Sequence, residues 1–391
     1  MTTHTFIDND IDTAPSFTQL RSDRGAAKDA IAGPWKLFWY KLQKNRVALA
    51  AGVVVLLFYM VALFAEFLAP GLPEAAKPQY TYAPPQPLHF FLTDADGSTR
   101  FAPHVAGYSM EIDKESLKRN YVVDETKIVP VGFFVEGPGY RLWGLIPMTR
   151  HLIGPIDPRD TMYLLGSDKL GRDLLTRLIY GTRVSMSIGL VGVGISLVLG
   201  IALGSIAGFY GGWIDTSIQR LIEIISSMPT IPLWLGLAAA VPTSWSPLQV
   251  SFVITLIISL LAWTGLAREV RGRFFALRQE DFVTAARLDG SSEARLITRH
   301  ILPSLTSHIL AVVTLALPTM IVAETALSFL GIGLKAPVVS WGVLLQEAQN
   351  VRTIATAPWL LIWPAGAVVL TVLSYNFLGD GLRDAADPYE N

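Results

Sequence analysis

Residues 280–303 read EDFVTAARLDGSSEARLITRHILP and form a polar, arginine-containing block between two apolar stretches. The run Glu280–Leu288 has an acidic start and good helix formers, which suits the positive end of a helix dipole. Gly290 stands where that helix would end. A second helical run is predicted over residues 293–301, and Pro303 can begin the next helix. The block is therefore predicted to be two short helices joined by a glycine turn.

Apolar stretches around this block are long enough to cross a membrane. Hydrophobic residues make up 51% of the 391 positions and charged residues only 16%, whereas a soluble domain carries about 25% charge. A spanning helix needs about 20 mostly apolar residues. Six segments qualify: Val47–Leu68, Met186–Phe209, about Ile214 to Val241 with Pro229 and Pro232 inside it, Val250–Ala267, Ser304–Leu330 and Trp359–Leu378. The predicted fold class is an all-α membrane protein with six transmembrane helices.

Basic residues set the predicted orientation. Lys36, Lys41, Lys44 and Arg46 precede the first span, and Lys and Arg are enriched on the cytoplasmic side of a membrane. Six crossings return the carboxyl terminus to that side and place the arginine-rich loop 268–303 there as well. Both termini are therefore predicted to be cytoplasmic.

The chain divides into four predicted regions. Residues 1–32 are predicted to be a disordered cytoplasmic tail, and residues 33–68 an interfacial helix followed by the first span. An amphipathic helix and a simple aromatic belt with a positive flank both fit the start of that second region. Residues 69–165 form an extracytoplasmic insert, and residues 166–391 form a core of five helices that includes the loop 268–303.

The insert 69–165 is rich in aromatic residues and is predicted to be a small, mostly β domain. Two strands, Lys127–Val135 and Tyr140–Ile146, are expected around a turn at residues 136–139, where glycine and proline cluster. Its role is open between a rigid spacer and a docking or substrate-guiding surface.

No catalytic or metal-binding pattern is found in the sequence. Cysteine is absent, and the six histidines have no spacing typical of a metal site. The segment Gly166–Asp173 has two glycines five apart, but Arg172 and Asp173 stand where a phosphate loop needs Lys and then Ser or Thr. We therefore expect no nucleotide site on this chain.

Two acidic residues within predicted spans are candidates for function, because ionisable groups are costly in a membrane. Glu223 lies one helical turn from Arg220, and a local ion pair is the favoured interpretation. Glu324 is isolated in the fifth span. It is a candidate to line the substrate pathway, or alternatively to form a hydrogen bond to a neighbouring helix.

The block 280–303 resembles the cytoplasmic signature of permease subunits of bacterial ATP-binding-cassette importers, which reads EAA, three residues, Gly, nine residues, Ile, one residue, Leu-Pro. Ala285, Ala286, Gly290, Leu302 and Pro303 match at this spacing. Two positions depart from the signature: Thr284 replaces the leading Glu, and His300 replaces the Ile.

Three further stretches are similar to the dipeptide and oligopeptide branch of that family: LLGSDKLGRDLLTRLIYGTRVSMSIG from 164, ETALSFLGIGL from 324 and NFLGDGLRDAADP from 376. The large insert is similar to a sub-branch with an enlarged periplasmic domain, such as permeases for oligopeptides, murein peptides or opines.

The resemblance implies a permease of the bacterial inner membrane that forms half of a pathway for peptides or related small molecules. Implied partners are membrane lipid, a second homologous permease, two ATPase subunits that bind ATP and Mg, and a periplasmic substrate-binding protein, with no nucleic acid. The residues implied to couple to the ATPases are Glu280, Asp281, Thr284, Ala285, Ala286, Arg287, Asp289, Gly290 and Pro303.

The resemblance also predicts that Gly290→Pro, or a bulky residue at Ala286, uncouples transport while assembly remains possible. The main alternative is an ion-coupled secondary transporter. An integral-membrane enzyme acting through the insert is the less favoured alternative.

Overall fold

A computed structural model describes residues 34–93, 98–112, 119–242 and 244–386. The predicted tail 1–32 lies outside these residues. The helices are α1 (Pro34–Lys44), α2 (Arg46–Leu63), α3 (Ala65–Leu68), α4 (Leu174–Tyr210), α5 (Gly212–Ser227), α6 (Thr230–Ala239), α7 (Pro247–Leu277), α8 (Asp281–Leu288), α9 (Glu293–Arg295), α10 (Thr306–Phe329), α11 (Trp341–Glu347), α12 (Val351–Thr356) and α13 (Trp359–Ala386). The strands are β1 (Leu88–Thr93), β2 (Thr99–Ile112), β3 (Arg119–Leu142) and β4 (Ile146–Pro155).

Five of the predicted spans are long apolar helices in the structure: α2, α4, α7, α10 and α13. The third predicted span is a pair of helices, α5 and α6, with a bend of 84° between them. Met228 precedes Pro229 and has an extended backbone, because a residue before proline is disfavoured in the helical region. Pro232 lies in the first turn of α6, where its missing N–H breaks no helical bond.

Helices α4 and α7 pack closely through the glycines of α4, because small residues let two helix backbones approach each other. A Cβ at Gly204 would lie 2.6 Å from the carbonyl oxygen of Ala267, and a Cβ at Gly208 would lie 2.7 Å from that of Arg271. The two backbones therefore approach too closely for any side chain between them.

The insert contains a four-stranded antiparallel sheet in the order β1-β2-β3-β4. The predicted β content is confirmed, but the predicted turn at residues 136–139 is wrong. Strand β3 continues through these residues with a register shift between Glu136 and Tyr140. The chain reverses instead at 143–145, where Trp143 and Gly144 have φ of 53° and 74°. The irregularity at 136–139 accommodates the ring of His151, because a Cβ at Gly137 would lie 2.5 Å from it.

Hydrogen bonds join the sheet to the end of the first span. The Trp143 indole donates to the carbonyl oxygen of Leu63 at 2.7 Å, and His151 Nδ1 lies 2.6 Å from that of Ala69. The Arg183 guanidinium forms an ion pair with Glu66. Burial alone raises the pKa of Glu66, but the bonds and charge of Arg183 outweigh it and hold this pKa below its ordinary value. We call this end of the bundle the sheet end and the opposite end, at residues 278–305, the loop end.

The segment Gly166–Asp173 forms a buried ion cluster at the sheet end. Arg177 contacts Asp168 at 2.7 Å and Glu347 at 2.5 Å, and Arg172 contacts the same two carboxylates. Burial alone raises the pKa of Glu347, but the bonds and charges of the two arginines hold it below its usual value. The cluster ties the start of α4 to the end of α11.

Asp173 caps the amino end of α4. Its Oδ2 accepts the backbone N–H of Thr176 at 2.8 Å and also the hydroxyl of that residue. Burial raises the pKa of Asp173 to about 6, although these hydrogen bonds lower it. The polar motif before the second span thus has a structural explanation in capping and ion pairing.

Replacement of Arg177 by Met should destabilise the protein by about 3–5 kcal/mol, because it leaves two carboxylates with only Arg172 as partner. Arg159→Met is the matched control, since the Arg159–Asp157 pair is exposed and exposed pairs contribute little. Thermal unfolding of the detergent-solubilised chain measures both variants. Equal melting temperatures for the two would contradict a stabilising role of the cluster.

Candidate functional site

Helix α8 ends in the glycine turn that the sequence predicts. The N–H of Gly290 donates to Arg287 O, and the N–H of Ser291 donates to Ala286 O, each at 3.1 Å. This pair of bonds is the Schellman arrangement, which requires a left-handed residue after the helix. Gly290 has φ of 81°, a conformation that glycine adopts without a steric penalty. Gly290 therefore determines where α8 ends.

One face of α8 packs against its own chain. Val283 is fully buried and Ala286 is only 8% exposed. Both belong to a cluster at the loop end formed by Phe209, Val270, Phe274, Val283, Ala286, Leu296, Ile301 and Leu305. Ala286, one of the residues implied to couple to the ATPases, therefore does not lie on the exposed surface of α8, because its methyl group faces this cluster. A bulky residue there would first disturb the packing of the loop itself.

The opposite face of α8 is exposed. Ala285 is on this face, and the apolar side chains of Phe282 and Leu288, 43% and 84% exposed, accompany it. Sequence reasoning missed Phe282 and Leu288, although their three-residue spacing with Ala285 could have indicated them. Among the residues predicted to couple to the ATPases, the others that are exposed are Glu280, Asp281, Thr284, Arg287, Asp289, Gly290 and Pro303.

The second helical run of the loop is continuous from 293 to 304. It begins as α9, continues as a π-helical segment Leu296–Ile301 and ends in the turn Leu302–Ser304. Leu296 and Ile301 are buried in the loop-end cluster, whereas Pro303 is exposed at the start of the last turn. The prediction of two short helices with a glycine turn is confirmed.

Polar contacts fasten the loop to the end of α4. The Arg278 guanidinium donates to the carbonyl oxygens of Gly208 and Phe209 at 3.3 and 3.1 Å, which α4 leaves unpaired at its carboxyl end. Tyr210 shares a hydrogen bond with Glu293. The Arg287 guanidinium lies 6.0 Å from the ring centroid of Phe209. The loop therefore contacts α4 from both of its helical runs.

The predicted loop 268–303 begins later in the structure, because α7 continues to Leu277, and the arginines near the end of α7 hold neighbouring helices together. Arg271 forms a bidentate ion pair with Asp215 of α5, and Arg268 donates to Ser226 at 2.6 Å. Arg220 and Glu223 form the expected local pair at 2.6 Å, on an exposed surface. The sequence indicated this last pair but not the partners of Arg268 and Arg271, which lie more than 40 residues away.

Glu324 is fully buried and accepts hydrogen bonds from serine hydroxyls. The donors are Ser340 at 2.8 Å, Ser328 at 2.9 Å and Ser185 at 3.4 Å. An ionised carboxylate only accepts hydrogen bonds, so three hydroxyl donors suit it. Of the two interpretations of Glu324, the hydrogen bond to neighbouring elements is the one that the structure shows.

Each serine around Glu324 also accepts a backbone N–H. The donors are Leu334 to Ser328, Trp341 to Ser185 and Val343 to Ser340, at 3.0–3.2 Å. Glu324 thus orients three hydroxyls that hold the connection between α10 and α13. Ser328 lies one helical turn from Glu324 and could have been inferred from the sequence, whereas Ser185 and Ser340 come from distant parts of the chain.

Comparison with known proteins identifies two family models. Residues 200–389 match the binding-protein-dependent transport system inner membrane component, and residues 33–85 match the N-terminal TM domain of oligopeptide transport permease C. Together the two models include α1, the first span, the loop 280–303 and Glu324.

Curated relatives carry related names. The chain is 39% identical to the dipeptide transport system permease protein DppC of Alkalihalophilus pseudofirmus over 223 residues, which are 57% of this chain and 71% of that protein. It is 39% identical to the oligopeptide transport system permease protein OppC of Haemophilus influenzae over 226 residues, 58% and 70% of the two chains. It is 29% identical to the glutathione transport system permease protein GsiD of Pectobacterium atrosepticum over 359 residues, 92% of each.

Among solved structures, an inward-facing form of the MetNI methionine ABC transporter aligns with a TM-score of 0.44 and 18% identity. It covers 54% of this chain and 96% of that chain.

Replacement of Gly290 by Ala should loosen the end of α8 by about 1 kcal/mol, because a side chain disfavours the left-handed backbone. A Cβ at Gly290 would meet open space, so the loss of stability would come from the backbone conformation and not from a steric clash. Gly272→Ala is the control, since Gly272 also has open space but lies within α7. Hydrogen exchange of residues 281–290 should accelerate only in Gly290→Ala. Unchanged exchange there would contradict the assigned role of Gly290.

Replacement of Glu324 by Leu should destabilise the protein by about 1–3 kcal/mol for each hydroxyl left without a partner. Glu324→Gln should have a smaller effect, because its amide retains one acceptor oxygen. Glu223→Leu is the control for loss of an exposed carboxylate. Thermal unfolding, together with hydrogen exchange of residues 331–347, measures the effect. If Glu324→Leu and Glu223→Leu behave alike, Glu324 does not hold this connection.

Proposed function

The chain belongs to the family of binding-protein-dependent transport system inner membrane components, as a permease of the dipeptide and oligopeptide type, and we propose that its loop 280–303 couples it to separate ATPase subunits. It is a multi-pass membrane permease subunit of a bacterial ATP-driven importer. Such subunits are not enzymes themselves and carry no cofactor of their own. The observation that carries the proposal is the two-sided helix α8, packed on one face and exposed on the other.

The exposed face of α8 has the properties of a docking surface. Phe282, Ala285 and Leu288 form an apolar strip along it, and exposed apolar patches with a polar rim mark interaction sites. Glu280, Asp281, Thr284, Arg287 and Asp289 form the polar rim. We propose that this face lies in a groove of an ATPase, in the manner of a helix that binds through one apolar side.

The buried face of α8 would connect a docked ATPase to the transmembrane helices α4 and α7. Val283 and Ala286 belong to the same buried apolar cluster as Phe274 of α7 and Phe209 of α4, and Arg278 bonds to the end of α4. Close-packed elements transmit displacement because they have little free volume to absorb it. A movement imposed on α8 would therefore be passed to the two helices that pack through Gly204 and Gly208. Gly290 would mark the end of α8, and Pro303 would mark the end of the second helical run of the loop.

We propose the following assembly and substrate. The chain pairs with a second, homologous permease and forms half of the pathway. Two ATPase subunits bind ATP and Mg, and a periplasmic binding protein delivers the substrate. The substrate class is peptides or related small molecules, since relatives named for dipeptides, oligopeptides and glutathione share the sequence. The satisfied hydrogen bonds of Glu324 favour a role in holding the pathway wall over direct contact with substrate.

We propose that the loop end faces the cytoplasm and the sheet end faces the periplasm. The lysines of α1 and the arginines of the loop support this orientation through the excess of positive charge on the cytoplasmic side. Both termini are then cytoplasmic if α5 and α6 together cross the membrane. Residues 1–32 would be a cytoplasmic tail, residues 33–68 the interfacial helix and first span, residues 69–165 the periplasmic insert and residues 166–391 the permease core. The insert would be an enlarged periplasmic domain that receives the binding protein.

Replacement of Ala285 by Trp should abolish ATP-driven uptake while the melting temperature of the chain stays unchanged, because residue 285 is on the exposed face of α8. The matched control is Ala286→Trp on the buried face, which should lower stability by about 1–3 kcal/mol through overpacking. Uptake into proteoliposomes of the assembled transporter and thermal unfolding of each variant measure the two effects. Normal uptake by Ala285→Trp at normal assembly would exclude the proposed docking face.

A further inference from the structure

The turn between β3 and β4 is apolar and exposed. Leu145 is 77% exposed, and Trp143 and Ile146 are each nearly half exposed. Three exposed apolar side chains within four residues at the tip of a hairpin are unfavourable in water unless something covers them. Arg141, also exposed, stands at the base of the turn.

The position of this turn is defined by its contact with the first span. The Trp143 indole donates to the carbonyl oxygen of Leu63 at 2.7 Å, and Leu63 is the last residue of α2. The Trp143 ring lies 6.0 Å from the ring of Phe64. A second contact, between Phe134 and Phe67 at 6.0 Å, repeats this arrangement on the neighbouring part of β3. The hairpin therefore sits beside the point where the first span ends.

The turn continues an apolar stripe of the first span. Exposed side chains on α2 recur at intervals of three and four residues and end at Leu63, beside Trp143: Val53, Leu56, Leu57, Met60 and Leu63. In a helix this spacing defines one face. Because α2 is long and apolar enough to cross a membrane, an exposed apolar face along it is suited to contact with lipid. Trp143 meets the end of this face at Leu63, and Leu145 and Ile146 are the next exposed apolar side chains along the turn.

The backbone of Trp143 supports a specific role for its side chain. Its φ of 53° is unusual for a residue with a bulky side chain, and such conformations persist only where surrounding contacts impose them. The indole combines a large apolar ring with one N–H donor, and tryptophan is enriched at membrane–water boundaries for this reason.

We propose that the turn Trp143–Leu145 is a membrane-interface anchor for the β-sheet. Trp143 lies at the headgroup level, Leu145 and Ile146 reach the outer part of the acyl chains, and Arg141 faces the lipid phosphates. The anchor keeps the sheet at a constant height and orientation above the end of the first span. This proposal needs α2 to cross the membrane with its exposed apolar face toward lipid, and it is independent of the role of α8.

Because the chain contains no cysteine, Leu145→Cys provides a single site for an environment-sensitive fluorophore. The full-length chain, co-assembled with its partner subunits, is reconstituted in vesicles of phosphatidylethanolamine and phosphatidylglycerol. Leu57→Cys, on the lipid-facing stripe, is the buried-in-lipid control. Phe101→Cys, 66% exposed on β2, is the control for a water-exposed position of the same sheet.

A label at 145 should be quenched by a nitroxide-labelled lipid and protected from aqueous iodide, as at 57, whereas a label at 101 should show the reverse. Iodide quenching at 145 equal to that at 101 would overturn the proposal. Protection from iodide without quenching by the nitroxide lipid would also overturn it, since the turn would then be covered by a protein partner.

Discussion

A charged group that the helix bundle removes from water is unfavourable unless the chain itself supplies its hydrogen bonds, and this constraint is strictest at Glu324. Its carboxylate organises three serine hydroxyls, and each hydroxyl holds one backbone N–H of the connection between α10 and α13. The position of α11 depends on this arrangement at one end and on Glu347 at the other. An uncompensated carboxylate at this depth would be unfavourable by far more than one hydrogen bond is worth.

The two ends of the bundle are built in different ways because they meet different surroundings. At the sheet end, ion pairs join α4, α11 and the segment 166–173 through Arg177, Glu347 and Asp168, and a hydrogen bond from Trp143 joins the β-sheet to the end of α2. At the loop end, apolar packing joins α4, α7 and the loop, and the helix α8 keeps one face free. The first arrangement resists displacement, whereas the second leaves a surface on which another subunit can act. The close contact of α4 and α7 connects the two ends.

Much of the architecture was predictable from local pattern. Apolar length located five spans, the proline pair indicated the break between α5 and α6, and Gly290 located the end of α8. The turn of the β-hairpin was not predictable from composition. Gly137 and Gly139 resemble turn residues, but β3 continues through them, and Gly137 makes room for the ring of His151, which approaches from β4. The reversal at Trp143 depends on a hydrogen bond to Leu63, 80 residues earlier in the chain.

The sequence by itself determined that the chain crosses a membrane, where its spans lie and that residues 280–303 form a helix–glycine–helix loop, because hydrophobic length, helix propensity and positive φ are local properties. Only the tertiary structure decided which face of that loop is free, with Ala286 packed inward and Ala285 outward. It also decided that the carboxylate of Glu324 is buried and accepts hydrogen bonds from serine hydroxyls. Burial and hydrogen-bond partners depend on residues that are distant in the chain, so they become defined only when the helices pack.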